Sequence, residues 1–488
     1  MLRLGPWVLP LSSPRVISLR KGSPFWQTLA EHGVSVNIVR MPTNYPPLNV
    51  GQAIAGMGTP DLRGTLGTFA YYTDEPDEVT RAVAGGRIVK IVVDNGHAAL
   101  TVEGPPNSLR RDRAFSSVKL IVDIDPERAL ARLTLGTATA IVKEGEWSDW
   151  IPADFALIPH LASVDGMFRV FARQLHPRVE LYVSPVNIDP VSPALPISAP
   201  ASYGRTVARE SGRFYTLGTP EDTSALRQGV FTLPEFLSQT RLVFEDERRL
   251  LRYSLAHFSN GLLFFYFSVI DQNSHMLWGR HEAELLDVYR AVDESIGEVI
   301  RAEPDADLIV MSDHGFTSFD RAVNLNAWLL HHGYLALTSS GAIDWSATKA
   351  WALGLNGLYL NHADRTHLRD ELLAFRDPVN GRQVIETLVD PHPSPQNARI
   401  APDLIVGYAR GYRASWSGAL GEVSGDELED NTDAWIGDHC INAADVPGVL
   451  FTSRKARELH PRIEDVTATV LDLFAVPPAA PEAGHSVY

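Results

Sequence analysis

The sequence has a single cysteine, Cys440, in 488 residues. That excludes an internal disulfide framework and cysteine-rich zinc modules, leaves the compartment open, and restricts any metal site to histidine and carboxylate ligands. Positive charge is also in short supply. Lys and Arg number 43 against 59 Asp and Glu, a formal net charge of −16, which argues against a protein that holds nucleic acid by its phosphates. An anionic substrate would have to be neutralised locally, and bound metal ions are the obvious means. Long apolar runs are missing as well: residues 261–270 form the longest, about half of the ~20 residues a membrane helix needs. The opening Met1-Leu-Arg-Leu-Gly-Pro-Trp-Val-Leu-Pro10 carries one arginine and a short apolar patch broken by two prolines, a poor signal peptide that reads like the interior of a longer chain. The default expectation is therefore a soluble cytoplasmic protein, with any export signal lying upstream of Met1. What remains is ordinary globular composition, 45% hydrophobic and 21% charged, in a chain long enough for one large domain with an insertion or for two domains.

Taken in order, three parts are expected. Residues 1–75 begin with a Pro-rich extended segment, then a short helix capped by Ser23 and stopped by Gly33, then a strand over Val34 to Val39. Met41–Pro47 and Gly56–Thr68 have the Gly and Pro density of loops. The Gly-Thr pairs of Gly56–Thr68 lack the lysine of a P-loop, which favours a structural role over a phosphate cradle. Residues 76–190 read as a β-rich insertion: Arg87–Val93, Ala98–Val102, Val118–Val122, Thr137–Val142, Met167–Arg173 and Val179–Val183 are short β-branched runs between turn residues. Asp165-Gly166 fits a hairpin turn. Residues 191–488 form the main α/β part. It enters through a Pro- and Ser-rich linker over 191–220 and a long amphipathic helix from Leu233 to Ser259, with arginines on its outer face.

The chemistry concentrates at two strand ends. Leu308-Ile-Val-Met-Ser runs into Asp313-His314-Gly315, and Leu262-Leu-Phe-Phe-Tyr-Phe-Ser-Val-Ile270 runs into Asp271-Gln-Asn-Ser-His275. Between them Leu286, Tyr289, Val292, Ile296 and Val299 recur at spacings of three and four, which predicts a helix with one buried face. Strand, helix and strand imply a right-handed parallel crossover, placing Asp271 and Asp313 at one edge of one sheet. Carboxylate with imidazole suits zinc, and also manganese or iron, whereas calcium takes oxygen ligands alone. Asp271 and His275, four apart, can meet one ion if a helical turn follows the strand. A turn at the strand end would let the adjacent Asp313 and His314 converge. Trp435-Ile-Gly-Asp438-His439-Cys440 offers His439 to complete the first site. Singly, a histidine is more often structural and an aspartate after a strand more often a helix cap; the specificity lies in the constellation.

Ser312-Asp313-His314-Gly315-Phe316 followed by Asn324-Leu-Asn-Ala-Trp-Leu-Leu-His-His-Gly-Tyr-Leu335 resembles the type I phosphodiesterase and nucleotide pyrophosphatase branch of the alkaline phosphatase superfamily. Asn356–Asn361, Pro402–Gly407, Ile463–Phe474 and much of residues 21–75 are similar to it too. The resemblance implies an α/β/α sandwich of alkaline-phosphatase-like type carrying the β-rich insertion, and two divalent ions, zinc or alternatively manganese. It also implies a small phosphate ester or nucleotide-like substrate. Asp271, His275 and His439 would hold one ion, and Asp313 and His314 the other. The family's second site also takes an aspartate from its first core strand and a Thr or Ser nucleophile, and neither is found in this sequence. The expectation is a chain lacking the N-terminal core strand and the nucleophile: a phosphodiester or pyrophosphate hydrolase in truncated form, an inactive metal-binding remnant, or an unrelated metal-binding α/β protein. Thr43, Thr59, Thr65 and Thr68 are the weak substitutes on offer. The loop Gly407–Trp416 brings arginines that would either meet a phosphate or coat the surface, and His485, which could reach the site, better fits a disordered or structural tail.

Overall fold

The structure is a computed structural model that describes residues 2–12, 15–394, 397–458, 460–478 and 484–488. The chain divides into two compact units: one holds Met1–Val269, Arg301–Glu303 and Arg457–Tyr488, the other Ile270–Ile300 and Pro304–Ala456. Both mix helices with parallel and antiparallel strands, the α/β class expected. Among the described residues no helix is long and apolar enough to cross a membrane.

In the first unit, Val36–Val39 lies between Leu262–Phe265 and Gln52–Ile54, parallel to both, and Ser198–Ala199 adds an antiparallel edge. Val36, Ile38 and Val39 are buried, as a strand with a neighbour on each side requires. The 24-residue helix Leu233–Ala256 starts at a Thr232/Glu235 capping box, with Pro at its first turn. The shorter helix Phe25–Glu31 is preceded by Pro24 at its cap and not by a capping Ser23; Gly33 just beyond it has the positive φ that ends a helix.

The stretch 76–190 is built mainly of strands, but the expected run Met167–Arg173 is divided between Ala162–Phe168 and Val170–Gln174, which belong to different sheets. His97–Pro106, Phe115–Asp125, Leu130–Leu135 and Ala138–Lys143 form an antiparallel meander, and along His97–Pro106 every second residue, Ala98, Leu100 and Val102, turns inward. Asp165-Gly166 corrects the expected hairpin turn. Both residues sit inside the strand Ala162–Phe168, opposite Asp154 and Ala153. Gly166 is there for space, because a Cβ would come within 2.7 Å of Leu62 and 2.8 Å of Val186. The Pro-rich stretch after residue 190 is also packed: Ile197, Val207, Phe214, Tyr215 and Leu217 are buried, and Tyr203–Ser211 is a helix.

In the second unit a four-stranded sheet of Ala350–Leu353, Gly357–Leu360, Leu404–Tyr408 and Ile385–Val389 packs on the helices Leu325–His331 and Arg365–Ala374. Trp328, Leu358, Leu368, Leu372 and Leu404 are its dry centre. Thr317–Val323 pairs with Gly411–Ala414, Leu428–Asp430 and Gly437–Asp438, while Ile309–Met311 pairs antiparallel with Leu450–Thr452.

Two expectations about the crossover change. Leu262–Phe265 and Ile309–Met311 belong to different hydrogen-bonded sheets, so they are not two strands of one parallel sheet. The helix Glu282–Ala302 is present, but it buries Leu285, Val292 and Ser295 and leaves Leu286 and Tyr289 exposed. The adjacent pair Leu285-Leu286 offered two helical phases, and packing selected the one centred on Leu285.

Candidate metal centre

The apolar run 262–270 is not one strand. It stops pairing at Phe265, and a helix begins at Val269, so Asp271 lies in the first turn of Val269–Leu277 and His275 four residues later on the same face. An aspartate in the first turn is also favoured by the helix dipole. The helical turn needed for both side chains to meet one ion is therefore present.

Asp313 and His314 follow the strand Ile309–Met311 at a point where two backbone segments cross closely. A Cβ on Gly315 would meet the Pro447 carbonyl at 2.7 Å, and one on Gly448 would meet the Ser312 carbonyl at 2.4 Å. The Gly315 amide donates to the Val446 carbonyl at 2.8 Å. Glycine at both places lets the chain turn sharply after the strand, which brings His314 inward.

Asp271 is the hub. Its Oδ1 lies 3.7 Å from Nε2 of His275 and 3.8 Å from Nε2 of both His314 and His439. The ligating atoms of Asp271, His275 and His439 all lie within 4.8 Å of one another. Asp271 Oδ2 accepts from Gln272 at 2.7 Å, whereas the buried Oδ1 has no hydrogen-bond partner. An orphaned buried carboxylate oxygen facing imidazole nitrogens is costly by itself and is the environment that a divalent cation satisfies. Asp313 differs: its side chain is 61% exposed, with Oδ1 3.5 Å from His314 Nε2.

The imidazoles are oriented to present Nε2. His275 Nδ1 contacts the Gly437 carbonyl at 2.8 Å and His314 Nδ1 the Gly315 carbonyl at 3.1 Å. A carbonyl only accepts, so Nδ1 carries the hydrogen and Nε2 keeps its lone pair. Burial pushes His275 down to about 3 and His439 down to about 4, and it lifts Asp271 to about 6 against the pull of His314. Both rings are thus neutral ligands at neutral pH. The His314 and His439 rings stack with centroids 3.5 Å apart.

The loop that delivers His439 is fixed from several sides. The Ile436 amide donates to the His275 carbonyl at 2.9 Å, the Trp435 ring stacks on His275 at 3.8 Å, and Gly437 passes so near the helix that a Cβ would sit 2.5 Å from the Ser274 carbonyl. Asp438 is 1% exposed and pairs with Arg413, itself 2% exposed. Burial alone would raise the Asp438 carboxyl; the Arg413 guanidinium and the hydrogen bonds around it hold it at about 2. Asp438, Arg413 and Trp435 escaped sequence reasoning. Asp438 had a signal, its place beside His439 in the Gly-bracketed loop; Arg413 had none, being one of two arginines in a loop read as phosphate-binding or surface. The other, Arg410, is exposed and pairs with Asp445.

Other candidates belong to the first unit. Thr59 Oγ1 donates to the Gly56 carbonyl, and Thr65 and Thr68 are tied to the Asp61 carboxylate, so these threonines shape their loop. His485 donates its amide to Asp465 at 2.8 Å, next to the buried Val487, a structural C-terminal segment.

The class defined so far is an α/β protein with one aspartate and three histidines converging at a buried oxygen. Residues 215–421 match the family described as Type I phosphodiesterase / nucleotide pyrophosphatase, and the resemblance carried by Ser312–Phe316 is borne out over that range. The matched segment contains Asp271, His275, Asp313 and His314 and ends before His439. Among solved structures, human ectonucleotide pyrophosphatase / phosphodiesterase 5 is similar at 15% identity and a TM-score of 0.32, over 49% of this chain and 61% of that one. The chain thus spans about three fifths of that relative. No curated protein matches.

Proposed function

We propose that this chain is a metal-binding protein of the phosphodiesterase and nucleotide pyrophosphatase kind, acting on a phosphodiester or pyrophosphate bond in a small nucleotide-like substrate. Asp271, His275 and His439 hold one divalent ion, and Asp313 with His314 serve a second. Zinc is the metal that fits the donor set best, with manganese the alternative. The observation that carries this reading is the unpartnered Asp271 Oδ1, buried within reach of three Nε2 atoms.

A divalent ion bound there would supply Lewis-acid polarisation of a phosphoryl oxygen. The chain's own part is to present the Asp271 carboxylate and three imidazoles, those of His275 and His314 in fixed tautomers, and to keep water from one side of the site with the rings of Phe316 and Trp435, which pack against His275. The nucleophile is not in the constellation. Among the described residues, no Ser or Thr hydroxyl is hydrogen-bonded to Asp271, His275, His314 or His439. The neighbouring thiol, Cys440, is pushed up to about 12 by burial, too high for a thiolate nucleophile. We therefore expect metal and nucleotide binding with negligible turnover by this chain.

The test is zinc titration of the full chain, followed by a nucleoside monophosphate and a chromogenic phosphodiester. Expected are zinc uptake lost in His439→Ala, nucleotide binding only with zinc present, and no significant release of chromophore. No zinc uptake would overturn the reading. Robust turnover abolished by Asp313→Ala would show that another residue of the chain supplies the nucleophile.

A further inference from the structure

His275 and His439 serve the same site but are held in different ways. His275 is fixed through its ring, by the Gly437 carbonyl on Nδ1 and the Trp435 ring on its face. Among the described residues, the hydrogen-bonding partner of His439 Nδ1 is the Cys440 sulfur, at 3.7 Å, too weak to fix the tautomer. The His439 ring rests on the His314 and Phe316 rings, and hydrogen bonds hold its backbone. One oxygen of Asp438 accepts the His439 amide at 2.7 Å and the Cys440 amide at 2.9 Å. The other accepts Trp435 Nε1 at 2.9 Å and faces the Arg413 guanidinium.

Arg413 is held in turn. Its guanidinium carbon lies 3.9 Å from the Trp416 ring centroid and 5.5 Å from that of Phe319, and Gly411–Ala414 is a strand buried along its whole length. A cation this deep between aromatic faces needs its carboxylate partner. The carboxylate in turn uses both oxygens to close the turn 435–440, the turn that carries Trp435 over His275 at one end and His439 at the other.

We infer that Asp438, anchored by Arg413, is the positioning residue for the metal centre, setting His439 through the His439 and Cys440 backbone amides and His275 through Trp435. The inference rests on the metal reading above. It makes a distinction that a purely structural ion pair does not: the acceptor oxygen at position 438 matters to zinc affinity even where the charge pair has been removed.

Single substitutions would strand a buried charge and could simply unfold the loop. Two double variants of the full chain avoid this. Arg413→Met with Asp438→Asn removes both charges and keeps an oxygen for the His439 and Cys440 amides; Arg413→Met with Asp438→Ala removes the acceptor as well. Zinc affinity is read by competition with a chromogenic chelator, cobalt(II) absorption reports the ligand geometry, and thermal unfolding without metal reports the fold. The expected result is zinc affinity near that of the unmodified chain for the Asn variant and about 10–100-fold weaker affinity for the Ala variant, with an altered cobalt spectrum in the latter. Equal affinities and spectra for the two variants would overturn the assignment while leaving the metal site standing, and so would an affinity loss in the Ala variant that merely follows lost thermal stability. An unmodified chain that takes up neither zinc nor cobalt would overturn both.

Discussion

The imidazole of His439 lies flat on that of His314, with ring centroids 3.5 Å apart and planes within 9°. The two rings come from segments more than a hundred residues apart, and each points Nε2 at the same oxygen of Asp271. Ligands in such contact do not act independently. In a double-mutant cycle of His314→Ala and His439→Ala, the combined loss of zinc affinity should differ from the sum of the single losses by about 0.5–3 kcal/mol. Additivity within a few tenths, measured by isothermal titration, would show that the rings serve separate sites without coupling.

The two aspartates should rank unequally. Asp271 is the buried hub, while Asp313 is mostly exposed. Asp271→Ala is expected to abolish zinc binding, and Asp313→Ala to weaken it by a smaller factor. Titration of both variants checks this, and an equal or reversed order would contradict the hub role of Asp271.

Gly437 admits no side chain. A Cβ would sit 2.5 Å from the Ser274 carbonyl and 2.8 Å from the Trp278 Cβ, neither of which is the free end of a flexible side chain. Gly437→Ala should therefore push the loop off the helix, costing about 1–3 kcal/mol of stability and lowering zinc affinity. A variant that unfolds at the same temperature and binds zinc as before would show that the loop has room to give.

In the first unit, Ser268 Oγ lies 2.7 Å from a Glu221 oxygen and 2.9 Å from a Glu247 oxygen, with Arg40 Nε 3.5 Å from Glu247. One hydroxyl hydrogen serves one carboxylate at a time, and Glu247 also accepts the Ser268 amide at 3.1 Å, which leaves Glu221 the carboxylate that gains most from a proton. Burial, with Glu247 adding to it, lifts Glu221 from its ordinary 4.5 to about 8. Its folded-state value is the higher one, so the contribution to stability is complete below about pH 4.5 and is lost as pH rises towards 8. Glu221→Gln mimics the protonated form. Its melting temperature should fall less between pH 5 and pH 8 than that of the unmodified chain, and parallel profiles in calorimetry would rule this out.

Trp328 is 2% exposed in the core of the second unit and stacks on His332 at 4.0 Å. Trp328→Ala should cost about 3–5 kcal/mol, seen as a lowered denaturant midpoint. A change below 1 kcal/mol would mean that the site collapses to fill the void.

Local pattern carried much of this architecture in legible form. The alternation in His97–Pro106 and the capping of Leu233–Ala256 depend on residues close in sequence, as does the i, i+4 placement of Asp271 and His275. Harder to read were features set by contacts between distant segments. Gly166 looked like a turn residue because sequence cannot show Leu62 and Val186 closing on its Cα.

By itself the sequence determined which residue types could bind a metal and which pairs local geometry would bring together. Only the tertiary structure decided that His314 also turns its Nε2 to Asp271, that the strands before the two Asp/His pairs lie in different sheets, and that the helix between them turns Leu285 inward in place of Leu286. It alone turned Arg413 from a presumed surface or phosphate-binding residue into the buried partner of Asp438. The physical reason is that helix phase, sheet membership and burial of charge are set by the summed packing of segments far apart in the chain, and no short-range pattern encodes that sum.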